Sequence, residues 1–123
     1  MRFEKELDVA RHVAAEAGRL ALDHQARGFE AETKDDLSPV TTADRATELL
    51  IVDRLAEAFP EDGVLGEEGA MRESSNGRRW IIDPIDGTRD FVRGIPTWGV
   101  MLALEAEGEV VAGACNLAAL GEL

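Results

Sequence analysis

Phe3, Leu7, Ala10, Val13, Ala14, Ala17 and Ala21 recur at helical spacing, and charged residues fill much of the other face. This pattern predicts one amphipathic helix over residues 3–26, stopped by Gly28. A second helix is expected from Ala43 to Phe59, with Ala46, Leu49, Leu50, Leu55, Ala58 and Phe59 as its apolar positions and Pro60 as its end. Thr41 followed three residues later by Asp44 fits a variant of the capping box, in which the acid complements the helix dipole. Residues 29–42 between the helices read as a polar connector with a Ser-Pro turn signal. After Pro60 the pattern changes. Val64–Gly66 reads as a short strand, residues 70–79 as a polar, mobile loop, and Trp80–Ile82 as an apolar run buried on both faces. Thr97–Leu104 and Val110–Asn116 are strand candidates joined by a hairpin at Glu107-Gly108-Glu109. Helix, helix, then strands predicts an α+β fold, with layered helices packed on a mostly antiparallel sheet.

At 123 residues the chain is one domain or part of one. Thirteen basic against 25 acidic side chains give a net charge of −12, which argues against nucleic-acid and anionic-membrane partners. A phosphorylated substrate would then need metal ions between acid and anion. The single cysteine, Cys115, excludes an internal disulfide and suits a reducing compartment. The N-terminus has no apolar run of signal-peptide type, and Val110–Leu120, broken by Gly113 and Asn116, is too short to span a bilayer. A cytoplasmic protein is expected. His12 and His24 read as helix-surface residues, not ligands.

The chemistry concentrates in WIIDPIDGT, Trp80 to Thr88. Pro84 pushes Asp83 towards extended geometry, so the strand is expected to end there, and Gly87 allows a sharp turn. Glu67 lies just past the Val64–Gly66 strand, and Asp44 near a helix start. If the two strands are neighbours, Glu67, Asp83 and Asp86 meet, and a divalent cation would offset their repulsion. Mg²⁺ suits such oxygen ligands, and the chain has no Cys/His cluster for zinc. An EF-hand loop places its acids two apart, whereas Asp83 and Asp86 are three apart. The same extra residue separates the stretch from the D-x-D-G-T of aspartyl-nucleophile phosphatases, because side chains alternate along extended backbone.

Taken together, Lys34 with SPVTTAD (Ser38–Asp44), GEEG with Glu67 as its first acid, and WIIDPIDGT followed by Phe91 resemble the inositol monophosphatase family, within the lithium-sensitive, Mg²⁺-dependent phosphatases. The resemblance implies the N-terminal portion of an αβαβα fold, with 1–123 as part of a single domain. It implies metal ligation by Glu67, Asp83, the Ile85 carbonyl and Asp86, with two or three Mg²⁺ ions, Mn²⁺ as a substitute and inhibition by Li⁺. Asp86 and the Gly87 and Thr88 amides would face the substrate phosphate. Thr88, hydrogen-bonded to Asp44, would orient the attacking water beside Glu67, with Lys34 and Glu68 in support. In chemical terms this is two-metal phosphoryl transfer to water, with ions ~3.5–4 Å apart.

Two departures bear on function. Inositol-specific members usually read GTTNF, whereas this chain reads GTRDF, and the following FVRGIPTW (Phe91–Trp98) looks more like the histidinol-phosphatase branch. The family's W-D-x-A-A/G-G motif is absent, and Leu123 falls roughly halfway along the family's length. The chain is therefore expected to be a fragment of a longer product or a truncated relative. Histidinol phosphate is the first candidate substrate, then inositol monophosphate, then a 3′-phosphonucleotide or sugar phosphate. The rival readings are a noncatalytic metal- or phosphate-binding relative and a purely structural domain. Uncovered sheet surface around Val100, Leu102, Leu104, Val110, Val111 and Leu117 is expected to favour a homodimer.

Overall fold

The computed structural model describes residues 3–28, 31–33 and 39–123. Helix α1 (Glu4–Arg27) ends at Gly28, whose φ of 99° suits glycine. Strands β1 (Ala31–Thr33) and β2 (Pro39–Thr41) pair antiparallel, so the expected connector contains a small ribbon. Helix α2 (Thr42–Ala58) follows, then β3 (Gly63–Gly66), β4 (Met71–Arg72), β5 (Arg78–Asp86), the short α3 (Thr88–Arg93), β6 (Gly99–Ala106) and β7 (Glu109–Asn116). The main sheet has the order β4-β3-β5-β6-β7, and its one parallel pair is β3 with β5.

Alternation along the central strands sorts the sheet's two faces. Trp80, Ile82, Val100, Leu102 and Leu104 are buried in one core with Ala10, Val13, Ala14, Ala17 and Ala21 of α1 and Ile51 and Leu55 of α2. The alanine stripe lets α1 lie close to the sheet. At Gly18 an added Cβ would sit 2.3 Å from the Asn116 amide nitrogen, which itself donates to the Ala14 carbonyl at 2.8 Å. The intervening residues Ile81, Met101 and Ala103 point to the other face, where Met101 is 41% exposed. Val100, Leu102 and Leu104, expected on an unfinished surface, are instead core, because the alternation runs one residue out of phase with that expectation. Val110, at 66% exposed, does lie on open surface.

The buried stripe of α2 is Ala43, Asp44, Thr47, Glu48, Ile51 and Leu55, while Leu49 is 63% exposed. The expected apolar face is thus rotated, and two acids sit on the covered side. The 70–79 segment is pinned in place. Asp62 Oδ1 accepts from Asn76 at 2.7 Å, and Asp62 Oδ2 accepts from Trp80 Nε1 at 3.0 Å. The Ser75 amide donates to the Glu61 carbonyl at 3.0 Å. This segment carries the chain from β4 back across the foot of β3 to β5. Its passage is so close that a Cβ on Gly63 would lie 2.9 Å from the Arg72 carbonyl and the Ser74 amide. Among the described residues, no helix is long and apolar enough to cross a membrane.

Candidate active site

Strands β3 and β5 run parallel, so both end on the same side of the sheet, and Gly66 pairs with Ile82. The Glu67 amide then donates to the Ile82 carbonyl at 3.0 Å, which seats Glu67 beside Asp83. The strand does not end at Asp83 as expected. It continues to Asp86 through an irregularity, in which Asp83 pairs with Met101 and Asp86 with Gly99. Two residues on β5, Pro84 and Ile85, face one on β6, Val100, the signature of a β-bulge. Residues three apart on a regular strand point to opposite faces. The extra residue restores Asp83 and Asp86 to one side, where both line one cavity with Glu67. Pro84 and Ile85 absorb the bulge and are buried.

These acids load one another. Partial burial, the Asp86 charge and hydrogen bond, and the charges of Glu67 and Glu68 push the Asp83 carboxyl up from its ordinary 3.8 to about 7. The donor set is all oxygen, and a divalent cation would relieve the repulsion it carries, so these residues fit a hard cation. Among the described residues no three acid, histidine or cysteine side chains stand close enough together to hold a metal ion; Glu67, Asp83 and Asp86 line one cavity. Mg²⁺ ordinarily completes its shell with water, carbonyl and substrate oxygens.

A second wall is built by α2 and the turn after β5. Thr41 and Asp44 form the expected capping box: the Asp44 amide donates to Thr41 Oγ1 at 3.1 Å, and Asp44 Oδ2 accepts from the Thr41 amide at 2.8 Å and hydroxyl at 2.5 Å. The other oxygen, Oδ1, accepts from Thr88 Oγ1 at 2.9 Å. Asp44, fully buried, is therefore both a helix cap and the anchor of Thr88. The Thr88 hydroxyl also lies 3.0 Å from the Ile85 carbonyl. Gly87 turns the chain with φ 89°, and a Cβ there would crowd the Thr97 carbonyl at 3.3 Å. The first amides of α3 lack intrahelical acceptors, as at any helix start. His12 is exposed and His24 half-buried on α1, as expected of surface residues. Lys34 lies outside the described residues.

The remaining acid of the GEEG loop, Glu68, contributes through its backbone. Its amide donates to the Glu48 carboxylate at 2.9 Å, and the Ala70 amide donates to the same group at 3.0 Å. Glu48 was not among the sequence candidates. Its signal was present, since Asp44 and Glu48 fall four apart on the stripe continued by Ile51 and Leu55. In FVRGIPTW, Phe91 and Trp98 are both fully buried and meet edge to face, ring centroids 5.1 Å apart. Those two positions serve packing, and the exposed residues between them face solvent.

Residues 3–123 match the model of the inositol monophosphatase family. The chain belongs to that family. Among the family's relatives, the chain is 50% identical over 119 residues to a histidinol-phosphatase of Chlorobaculum parvum, covering 96% of this chain and 46% of that protein. It is 36% identical over 117 residues to a fructose-1,6-bisphosphatase/inositol-1-monophosphatase of Thermotoga maritima, covering 94% and 45%. The extragenic suppressor protein suhB of Bartonella henselae superposes with a TM-score of 0.91 at 31% identity, covering 96% of this chain and 47% of that one. The chain thus spans about half the length of the family relatives it matches, and over that span the helices and the sheet follow the inositol monophosphatase arrangement.

Proposed function

We propose that this chain supplies the metal-binding half of a Mg²⁺-dependent phosphomonoesterase acting on a small phosphorylated metabolite. The observation that carries the reading is that Glu67, Asp83 and Asp86 line one cavity at the shared end of β3 and β5, with burial and the neighbouring acids raising the Asp83 carboxyl to about 7. Glu67, Asp83, the Ile85 carbonyl and Asp86 would hold Mg²⁺ or Mn²⁺. When bound, such ions supply an activated water and stabilise a leaving alkoxide. The protein's own groups orient that water. Thr88 donates a hydrogen bond to Asp44, which would leave its oxygen lone pairs to accept from a water whose own lone pair is kept for phosphorus. Glu67 would accept the water's second proton. The Gly87 and Thr88 amides would hold the phosphate oxygens at the start of α3.

Similarity to a protein named histidinol-phosphatase favours histidinol phosphate over inositol 1-phosphate. The test is phosphate release from both substrates, with Mg²⁺ and with EDTA, by this chain alone and fused to the second half of the Chlorobaculum relative. Mg²⁺-dependent release by the fusion, with histidinol phosphate preferred in kcat/KM, is expected. Release unaffected by EDTA would overturn the reading. A second reading is a noncatalytic metal- or phosphate-binding relative. Its signature is Mg²⁺ binding with no phosphate release from either protein.

A further inference from the structure

We propose that Glu48 is a positioning residue that sets Glu67 for metal, an inference that rests on the metal-binding reading above. Glu48 is 3% exposed, in the middle of α2, where an isolated carboxylate would be costly. Its charge is spent on the amides of Glu68 at 2.9 Å and Ala70 at 3.0 Å, bonds strengthened by the ionised acceptor. The loop is fitted around it. A Cβ on Gly66 would fall 2.4 Å from the Glu48 carboxyl carbon, so only glycine admits the carboxylate there. Gly66 in turn donates to the Ala70 carbonyl at 2.7 Å and accepts from the Gly69 amide at 3.2 Å. Glu67 is therefore clamped from both sides, its own amide on Ile82 of β5 and the next amide on Glu48.

One turn earlier on the same stripe, Asp44 holds Thr88. Two buried acids on α2, four residues apart, thus fix the two loops that carry the candidate chemistry, one acid to each loop. A single rigid helix sets the distance between the proposed metal ligand Glu67 and the proposed water-orienting hydroxyl of Thr88. A carboxylate whose only task was to hold the fold would leave metal affinity untouched once the chain was folded.

The experiment measures Mn²⁺ affinity of this chain by electron paramagnetic resonance for wild type, Glu48→Gln, Glu48→Ala and Thr47→Val. It is paired with amide hydrogen exchange at Glu68 and Ala70. Thr47 is the control, since its buried hydroxyl has no hydrogen-bond partner among the described residues and lies next to Glu48 on the covered face. Removing partners that orient metal ligands ordinarily costs 10–100-fold in affinity. Glu48→Gln, which keeps the shape and one acceptor, is expected to weaken Mn²⁺ binding about tenfold with faster exchange at both amides. Glu48→Ala is expected to weaken it further, and Thr47→Val to match wild type. Should Glu48→Ala unfold, the milder glutamine carries the test. A folded Glu48→Gln with wild-type Mn²⁺ affinity and faster exchange would show that the clamp serves the loop alone, and would overturn the inference while leaving the metal site standing. Wild type that binds no Mn²⁺ would overturn the metal-binding reading itself and the inference with it.

Discussion

Replacing Asp83 by Asn should make the metal-free protein more stable while removing its response to Mg²⁺. In the folded chain the Asp83 carboxyl keeps its proton up to about 7, whereas in the unfolded chain it sheds it near 3.8. Between those values the folded state binds more protons than the unfolded state, so stability falls as pH rises through the window and the loss is complete above about 7. At face value, holding a carboxyl at about 7 instead of 3.8 costs about 4 kcal/mol at pH 8. Asp83 is only partly buried, and solvent screening brings the figure to ~1–2 kcal/mol. Asn does not ionise and escapes this cost. For a chain of this size the gain corresponds to roughly 4–10 °C in Tm. Melts at pH 5 and pH 8, with EDTA or with millimolar Mg²⁺, check both halves of the argument. The Asn variant should exceed wild type by less at pH 5 than at pH 8 in EDTA, and gain nothing from Mg²⁺. Wild type should gain about 2.7 kcal/mol at a hundredfold excess over Kd, and its apparent affinity should fall as pH drops below about 7. An Asn variant no more stable than wild type at pH 8, or one with a wild-type Mg²⁺ response, would refute the reasoning.

Other perturbations reach different parts of the molecule. Thr88→Val removes the hydroxyl on Asp44 but leaves the Thr41–Asp44 cap intact; in a preparation that releases phosphate, kcat should fall ~10²–10⁴-fold with Mn²⁺ affinity unchanged. Asp44→Asn should lower kcat similarly and also reduce Tm, because it weakens the cap, typically by ~1 kcal/mol. Glu107 is the sole non-glycine with positive φ among the described residues, at 54°, so Glu107→Gly should stabilise the β6–β7 turn by up to ~1 kcal/mol, read as a rise in Tm. The face bearing Met101 should drive concentration-dependent association of this chain; sedimentation should show Met101→Lys shifted towards monomer, and an unchanged distribution would clear that face of the role.

What could be read from the chain depended on how local each determinant was. The Thr41–Asp44 cap, the Gly28 stop and the Glu107-Gly108 turn are each decided within a few residues, and all three stand as expected. The bulge at Pro84-Ile85 is defined only against β6, so the strand appeared to end at Asp83. The covered face of α2 differs from the expected one because Asp44 and Glu48 look like solvated acids until loops distant in sequence supply their donors. The central strands gave a weak alternation because Ile81, Met101 and Ala103, on the face away from the helices, are as apolar as the core. The candidate site residues are legible through their motifs. Their convergence needed the parallel β3–β5 pairing, a contact no single segment encodes.

The crossing of residues 72–78 beneath β3 has a practical consequence for anyone wishing to splice a tag or reporter into this protein. By composition, Ser74-Ser75-Asn76-Gly77 looks like the most expendable stretch in the chain. In three dimensions it is the strap that sets where β5 enters the sheet, pressed on Gly63 and tied to Glu61 and Asp62. Lengthening it would let β5 slide, and a slide of one residue would turn Asp83 towards the helices and strand Glu67 alone. The better place for a graft is the far end of the β6–β7 hairpin, at Glu107-Gly108, where the strands are held by their own pairing and the site lies at the opposite end of β6.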